Sequence, residues 1–173
     1  MSTRELNLHE ILLPVRSSFI VITFVAALLI NLLPWSGEWL VIKPDFVALV
    51  VLYWCIQQPR KVGFASAWLL GLLMDVAEGS LFGQHALAYS VLAFAGIVLH
   101  RRVLMFSMRN QVLHVIVLML LNDLMVVGIR MLAGAGFPGF QYFIGSLIGA
   151  ALWPVLCFLF KLPQRPPPDP DRV

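Results

Sequence analysis

Asp75, His85 and Asp123 stand inside apolar runs, with Asn31 and Asn122 as amide neighbours. A carboxylate in an apolar helix is costly, by about 3 kcal/mol on insertion scales, so something in the fold must satisfy it. Two carboxylates at one depth could serve an aspartyl protease, one holding a proton while the other activates water. One acid and one histidine could carry a proton or hold a metal, yet no His, Cys and carboxylate spacing here approaches a metal site. Two readings need no catalysis. The polar groups could hydrogen-bond helix to helix, or short helices could place them near water, where they cost little.

Depth follows from the basic residue that anchors each helix. Asn31 lies fifteen residues beyond Arg16, Asp75 and Asp123 fourteen beyond Lys61 and Arg109, and His85 fifteen before His100. At 1.5 Å per residue all four sit about 21 to 23 Å from the same boundary. They form one polar layer with Asn122, and Arg130, two turns beyond Asp123, could face that acid through its long side chain. The Asn122–Asp123 pair does not match the Asn-x-x-Asp and Asp motifs of aspartyl lipoprotein signal peptidases, which span the membrane four times. His100 and His114 fall near the opposite boundary. Phosphate-cradling glycine loops and Ser/His/Asp nucleophile motifs are absent.

The elements carrying this layer are membrane helices. Of 173 residues, 60% are apolar and only 12% charged, with a mean hydropathy of +0.89; a soluble domain averages about 25% charged. Apolar runs predict six spans, over 17–33, 44–58, 62–77, 84–99, 112–132 and 140–160, the second and third short for a crossing. Those two could form a re-entrant hairpin, but that would strand Arg60 and Lys61 in the membrane. With six crossings, ten of the twelve Lys and Arg residues fall on one side, and only Lys43 and Arg130 on the other. The positive-inside rule then puts both termini in the cytoplasm. The net charge of +3 therefore reads as topology, not nucleic-acid binding.

Residues 1–16 are not a cleavable signal, since Glu5 and Glu10 interrupt them. Asn7 and Glu10 are placed like a capping box, and Pro14 limits a short interfacial helix. Trp35 and Trp39 suit a membrane–water interface. Pro44 and Asp45 suit a helix start. Residues 161–173 form a cytoplasmic tail, proline-rich and disordered from Pro163. Between these ends, 17–160 is a single membrane domain. Cys55 and Cys157 lie in apolar helices and read as packing residues, not a disulfide framework.

Glycines set the close approaches. Gly79 and Gly83 bracket a tight reversal, and Gly71 shares a helix face with Asp75. Gly145 and Gly149 make a small-xxx-small pair that lets a neighbour approach, and Pro154 predicts a kink in the same helix. Arg101 and Arg102 close the fourth span and fit either anionic headgroups or a topology anchor.

The order Gly-Leu-Leu-x-Asp over 71–75, then Gly-x-x-x-Gly-x-x-Ala-Leu over 79–87, resembles the signature of the rod shape-determining protein MreD family. Upstream, Pro44, Tyr53, Trp54, Pro59, Arg60 and Gly63 resemble that family's preceding helix and turn, and Arg101–Arg102 a basic pair at that place. The motif resemblance covers about residues 44 to 102. It implies an all-α polytopic membrane protein of six transmembrane helices, two of them short, shaped like the substrate-binding component of vitamin (ECF-type) importers. It also implies a non-enzymatic inner-membrane part of the bacterial cell-elongation machinery, without cofactor or metal. The partners implied are the bitopic scaffold MreC and, through it, the actin-like MreB and the peptidoglycan polymerase and transpeptidase. Membrane lipids are expected around it, and no nucleic acid. The alternatives are a small-molecule-binding subunit of a transporter, which would need a sizeable cavity facing the outer side, and the intramembrane protease above.

The candidate structural or partner residues are thus Gly71, Asp75, Gly79, Gly83, His85, Arg101, Arg102, Asn122, Asp123, Gly145 and Gly149. Asp75 is expected to act as a structural acceptor, holding the Gly79–Gly83 reversal and bonding to Asn122 or His85.

Overall fold

The chain is organised around ten successive residues, Val47 to Ile56, all buried. They belong to a helix of only 12 residues, Phe46–Gln57, here α2. An apolar run without a polar face must be surrounded on every side, and α2 is. The computed structural model describes residues 15–34, 37 and 42–164. Among these, the other α-helices are α1 (Ser17–Leu32), α3 (Phe64–Glu78), α4 (Gln84–Met105), α5 (Met108–Leu132) and α6 (Ile144–Lys161), with short 3-10 turns at Phe140–Phe143 and Leu162–Gln164 and no strand. The α4 helix packs against α2, α3 and α5, while α1 and α6 close the remaining sides of α2.

Helix ends follow local chemistry. Asp45 caps α2, its Oδ1 accepting from Ala48 N at 3.0 Å. At the start of α3, Ser66 Oγ accepts from Gly63 N at 3.1 Å. Gly79 ends α3 at a φ of 60°, and Ser80 N then reaches back to the Asp75 carbonyl at 3.0 Å. That left-handed closure suits glycine because it has no Cβ. Gly83, at a φ of 99°, starts α4.

The exterior is inverted relative to a soluble protein. Ile22 and Leu29 of α1, Val76 of α3, Phe94 of α4 and Val117 of α5 are all more than 60% exposed. Large apolar side chains facing outward on every side of a bundle mark a hydrocarbon environment. Three stretches are long and apolar enough to cross a membrane: α4, α5 and the run Phe140–Gln164 that contains α6. The others are shorter. At 1.5 Å per residue α1, α2 and α3 measure about 24, 18 and 22 Å, so α1 joins the two helices expected to be short.

Two boundaries differ from the sequence reading. The α4 helix runs to Met105 rather than Leu99, and α5 starts at Met108 rather than Val112. Apolarity ends before backbone hydrogen bonding does, so Arg101, Arg102 and Arg109 remain helical. Pro154 lies inside α6, which runs past it to Lys161. The capping pair Asn7 and Glu10 with Pro14, the tryptophans Trp35 and Trp39, and the tail over 165–173 lie outside the described residues.

Candidate functional site

Asp75 is 1% exposed, and both of its oxygens are occupied. Its Oδ1 accepts from His85 N at 2.8 Å, from His85 Nδ1 at 2.9 Å and from Ser80 Oγ at 3.0 Å. Its Oδ2 accepts from Gly83 N at 2.8 Å and Ala86 N at 3.5 Å. The free N–H groups of a helix's first turn need acceptors, and here a carboxylate from the preceding helix supplies them. Asp75 is thus the cap of α4, and the charge it adds there is favoured by the helix dipole. Because the carboxylate can only accept, the His85 Nδ1 carries a proton. Its Nε2 faces Glu78 Oε2 at 3.7 Å. Gly71, one turn before Asp75, has no room for a side chain: a Cβ there would overlap the backbone of Ala86. That close crossing brings Asp75 to the start of α4.

A second acid, Asp45, joins three helices. Beyond capping α2, its Oδ1 accepts from Asn31 Nδ2 at 3.2 Å and its Oδ2 from Tyr89 Oη at 2.7 Å. Asn31 Oδ1 in turn accepts from Phe46 N at 3.2 Å. Lys43 Nζ donates to the Asn31 carbonyl at 3.1 Å and pairs with Glu78 at 3.5 Å. Asp123 on α5 accepts a hydrogen bond from Ser146 on α6 through its Oδ2.

These groups sit at one end of the bundle, around a cleft of about 780 Å³ whose lining includes Asp45, Glu78, Gln84, His85, Asp123 and Arg130. The buried polar groups are mostly hydrogen-bonded across helices, which favours the helix-to-helix reading over polar groups facing water. The protease arrangement is not formed. Asp75 and Asp123 are bonded to different partners and share no hydrogen bond, so they cannot hold one proton between them. Among the described residues, no group of His, Cys, Asp and Glu side chains could hold a metal.

Of the two partners expected for Asp75, His85 is bonded and Asn122 is not. The Asn122 Oδ1 is buried without a partner. It is Asp123, not Asn122, that accepts from Ser146. Arg130 lines the cleft but makes no ion pair with Asp123 among the described residues. A Cβ on Gly145 would meet the Lys43 carbonyl oxygen at 2.5 Å, whereas one on Gly149 would touch Pro44 Cβ at 3.6 Å and Met119 Cε at 3.7 Å. The small-residue face of α6 therefore packs inside the bundle, against the lead-in to α2. Arg101 and Arg102 are exposed at the opposite end, where His114 Nδ1 donates to the Asn110 carbonyl at 2.8 Å.

Sequence reasoning missed Asp45 as a hub, together with Ser80, Gln84, Tyr89 and Ser146. Tyr89 was legible, one turn beyond His85 on the same face. Ser146 was not, because nothing in the sequence fixes the rotation of α6.

The family model for rod shape-determining protein MreD matches residues 15–162. The rod shape-determining protein MreD of Haemophilus influenzae is 32% identical over 146 residues, covering 82% of this chain and 88% of that relative. No solved structure matches the chain.

Proposed function

The chain belongs to the MreD family of rod shape-determining proteins, and from that premise we propose that it anchors a cell-elongation assembly in the bacterial inner membrane. Membership makes it a membrane component of the shape-determining system rather than an enzyme. In this reading it crosses six times with both termini in the cytoplasm, so the cleft faces outward. The bundle is taken to share its shape with the substrate-binding component of ECF-type importers. It binds an MreC-like bitopic scaffold and, through it, MreB and the peptidoglycan polymerase and transpeptidase.

The observation that carries the proposal is the extent of the family match, which takes in the whole described bundle. Its apolar exterior supports a partner met within the membrane: the α3–α4 and α4–α5 connections are short reversals with no room for a docking domain. The test is replacement in depleted cells, scoring rod shape, followed by purification in mild detergent. Recovery of rods together with a co-purified bitopic scaffold is the expected result. Rods restored with no scaffold retained would defeat the partner assignment.

One observation favours a second reading. The cleft lies within the size range of small-molecule sites, about 300 to 1,000 Å³, as the transporter-subunit alternative requires. An ATPase module or a small molecule co-purifying in place of a scaffold would support it.

A further inference from the structure

The cleft carries an imbalance that the helix-to-helix bonds do not use up. Gln84 is 1% exposed and lines the cleft, and its Oε1 has no hydrogen-bond partner. A buried amide oxygen without a donor is uncommon and calls for an occupant that supplies one. The same cleft is lined by the carboxyl groups of Asp45, Glu78 and Asp123. Lys43 answers Glu78 and the Asn31 carbonyl, and the Asp75 charge is met by the first turn of α4 and His85. At the exposed rim, Arg130 has no ion-pair partner among the described residues. The cleft thus offers acceptors and negative charge inside, and one guanidinium suited to a phosphate at its mouth.

We propose that this cleft binds a zwitterionic aminophosphate headgroup, its primary ammonium donating to Gln84 Oε1 and the acids, and its phosphate held by Arg130. A primary ammonium brings three N–H donors where the cleft has surplus acceptors. A trimethylammonium group of equal charge brings none. Phosphoethanolamine is the shared chemistry, whether free or as the headgroup of phosphatidylethanolamine. The proposal stands whether or not the partner proposal holds.

The experiment uses the full-length protein in mixed micelles with equal amounts of phosphatidylethanolamine and phosphatidylcholine of matched chains, with bound lipid counted by native mass spectrometry. The amine lipid should be retained over the choline lipid by about fivefold, the worth of one satisfied buried hydrogen bond. Gln84→Met should bring the ratio toward one. Arg130→Gln should weaken both lipids together, since both carry the phosphate. Displacement by soluble O-phosphoethanolamine supports the site with a free ligand as sufficient, and resistance to it supports the lipid as the source. No preference in the unmodified protein overturns the proposal, as does an unchanged ratio in a Gln84→Met variant with normal thermal unfolding. Should Gln84→Met fail to fold, unchanged retention in the Arg130→Gln variant overturns it instead.

Discussion

Asp75 holds His85 twice, accepting from its backbone N at 2.8 Å and from its ring Nδ1 at 2.9 Å. One carboxylate therefore sets both where α4 begins and how its first buried ring is oriented. Asp75→Ala would leave the buried His85 N–H without an acceptor, at about 1–3 kcal/mol, and strip the acceptor from the half-buried Gly83 N–H as well. Asp75→Asn keeps one acceptor but turns an NH₂ group toward N–H donors. Membrane abundance and thermal unfolding temperature should fall in the order Asp, Asn, Ala, with scaffold retention falling in parallel. An abundant, correctly assembled but non-functional Asn variant would contradict a structural role.

The two glycines of α6 should part company. Gly145→Ala drives a methyl into the Lys43 carbonyl oxygen and should destabilise the bundle by about 1–3 kcal/mol. Gly149→Ala meets only ordinary van der Waals contact and should leave the unfolding temperature near that of the parent. Thermal unfolding in detergent separates them; equal losses would show that the face is not held as described.

Tyr89 is fully buried, and its hydroxyl donates to Asp45 Oδ2 at 2.7 Å. Tyr89→Phe keeps the ring and removes a hydrogen bond to a charged acceptor, which is worth about 1.5–3 kcal/mol. The loss should be larger than for Lys43→Met, whose ion pair with the exposed Glu78 is screened by solvent. Denaturant or thermal unfolding of the two variants side by side checks the order.

Topology rests on the ten-to-two distribution of basic residues. Reporter fusions after Arg102 and after Val173 should report cytoplasm, and one near Gly136 the opposite side. A C-terminal reporter on the outer side would reject six crossings.

Much of this was legible from the sequence because helix rise is constant. Counting from Arg16, Lys61, Arg109 and His100 is enough to bring Asn31, Asp75, Asp123 and His85 to one end of a bundle. What counting cannot supply is rotation. Asn122 and Asp123 are equivalent in depth, and only packing against α6 decides which one meets Ser146. Asp45 reads from the sequence as a favourable first-turn charge, but it stands just outside the helix, as the N-cap of α2. Its bonds to Asn31 and Tyr89 depend on α1 and α4 both packing against α2, a fact of three dimensions. The extension of α4 to Met105 was hidden for another reason: hydropathy marks where hydrocarbon ends, not where a helix does.

The brevity of α2 bears on how the bundle would experience a membrane voltage. Its 12 residues span about 18 Å, against a hydrocarbon core of about 30 Å. With α2 as one of six crossings, the insulating layer along the bundle axis would be thinner than at the rim, a polar cleft taking up the remainder. A transmembrane potential drops mainly across insulator, so the field would steepen along α2 and fade within the cleft. Asp45, at the boundary between the two, would sit near the potential of the solution outside it. An elementary charge moved from there through α2 would cross almost the whole voltage, about 2.3 kcal/mol per 100 mV, over little more than half the usual distance.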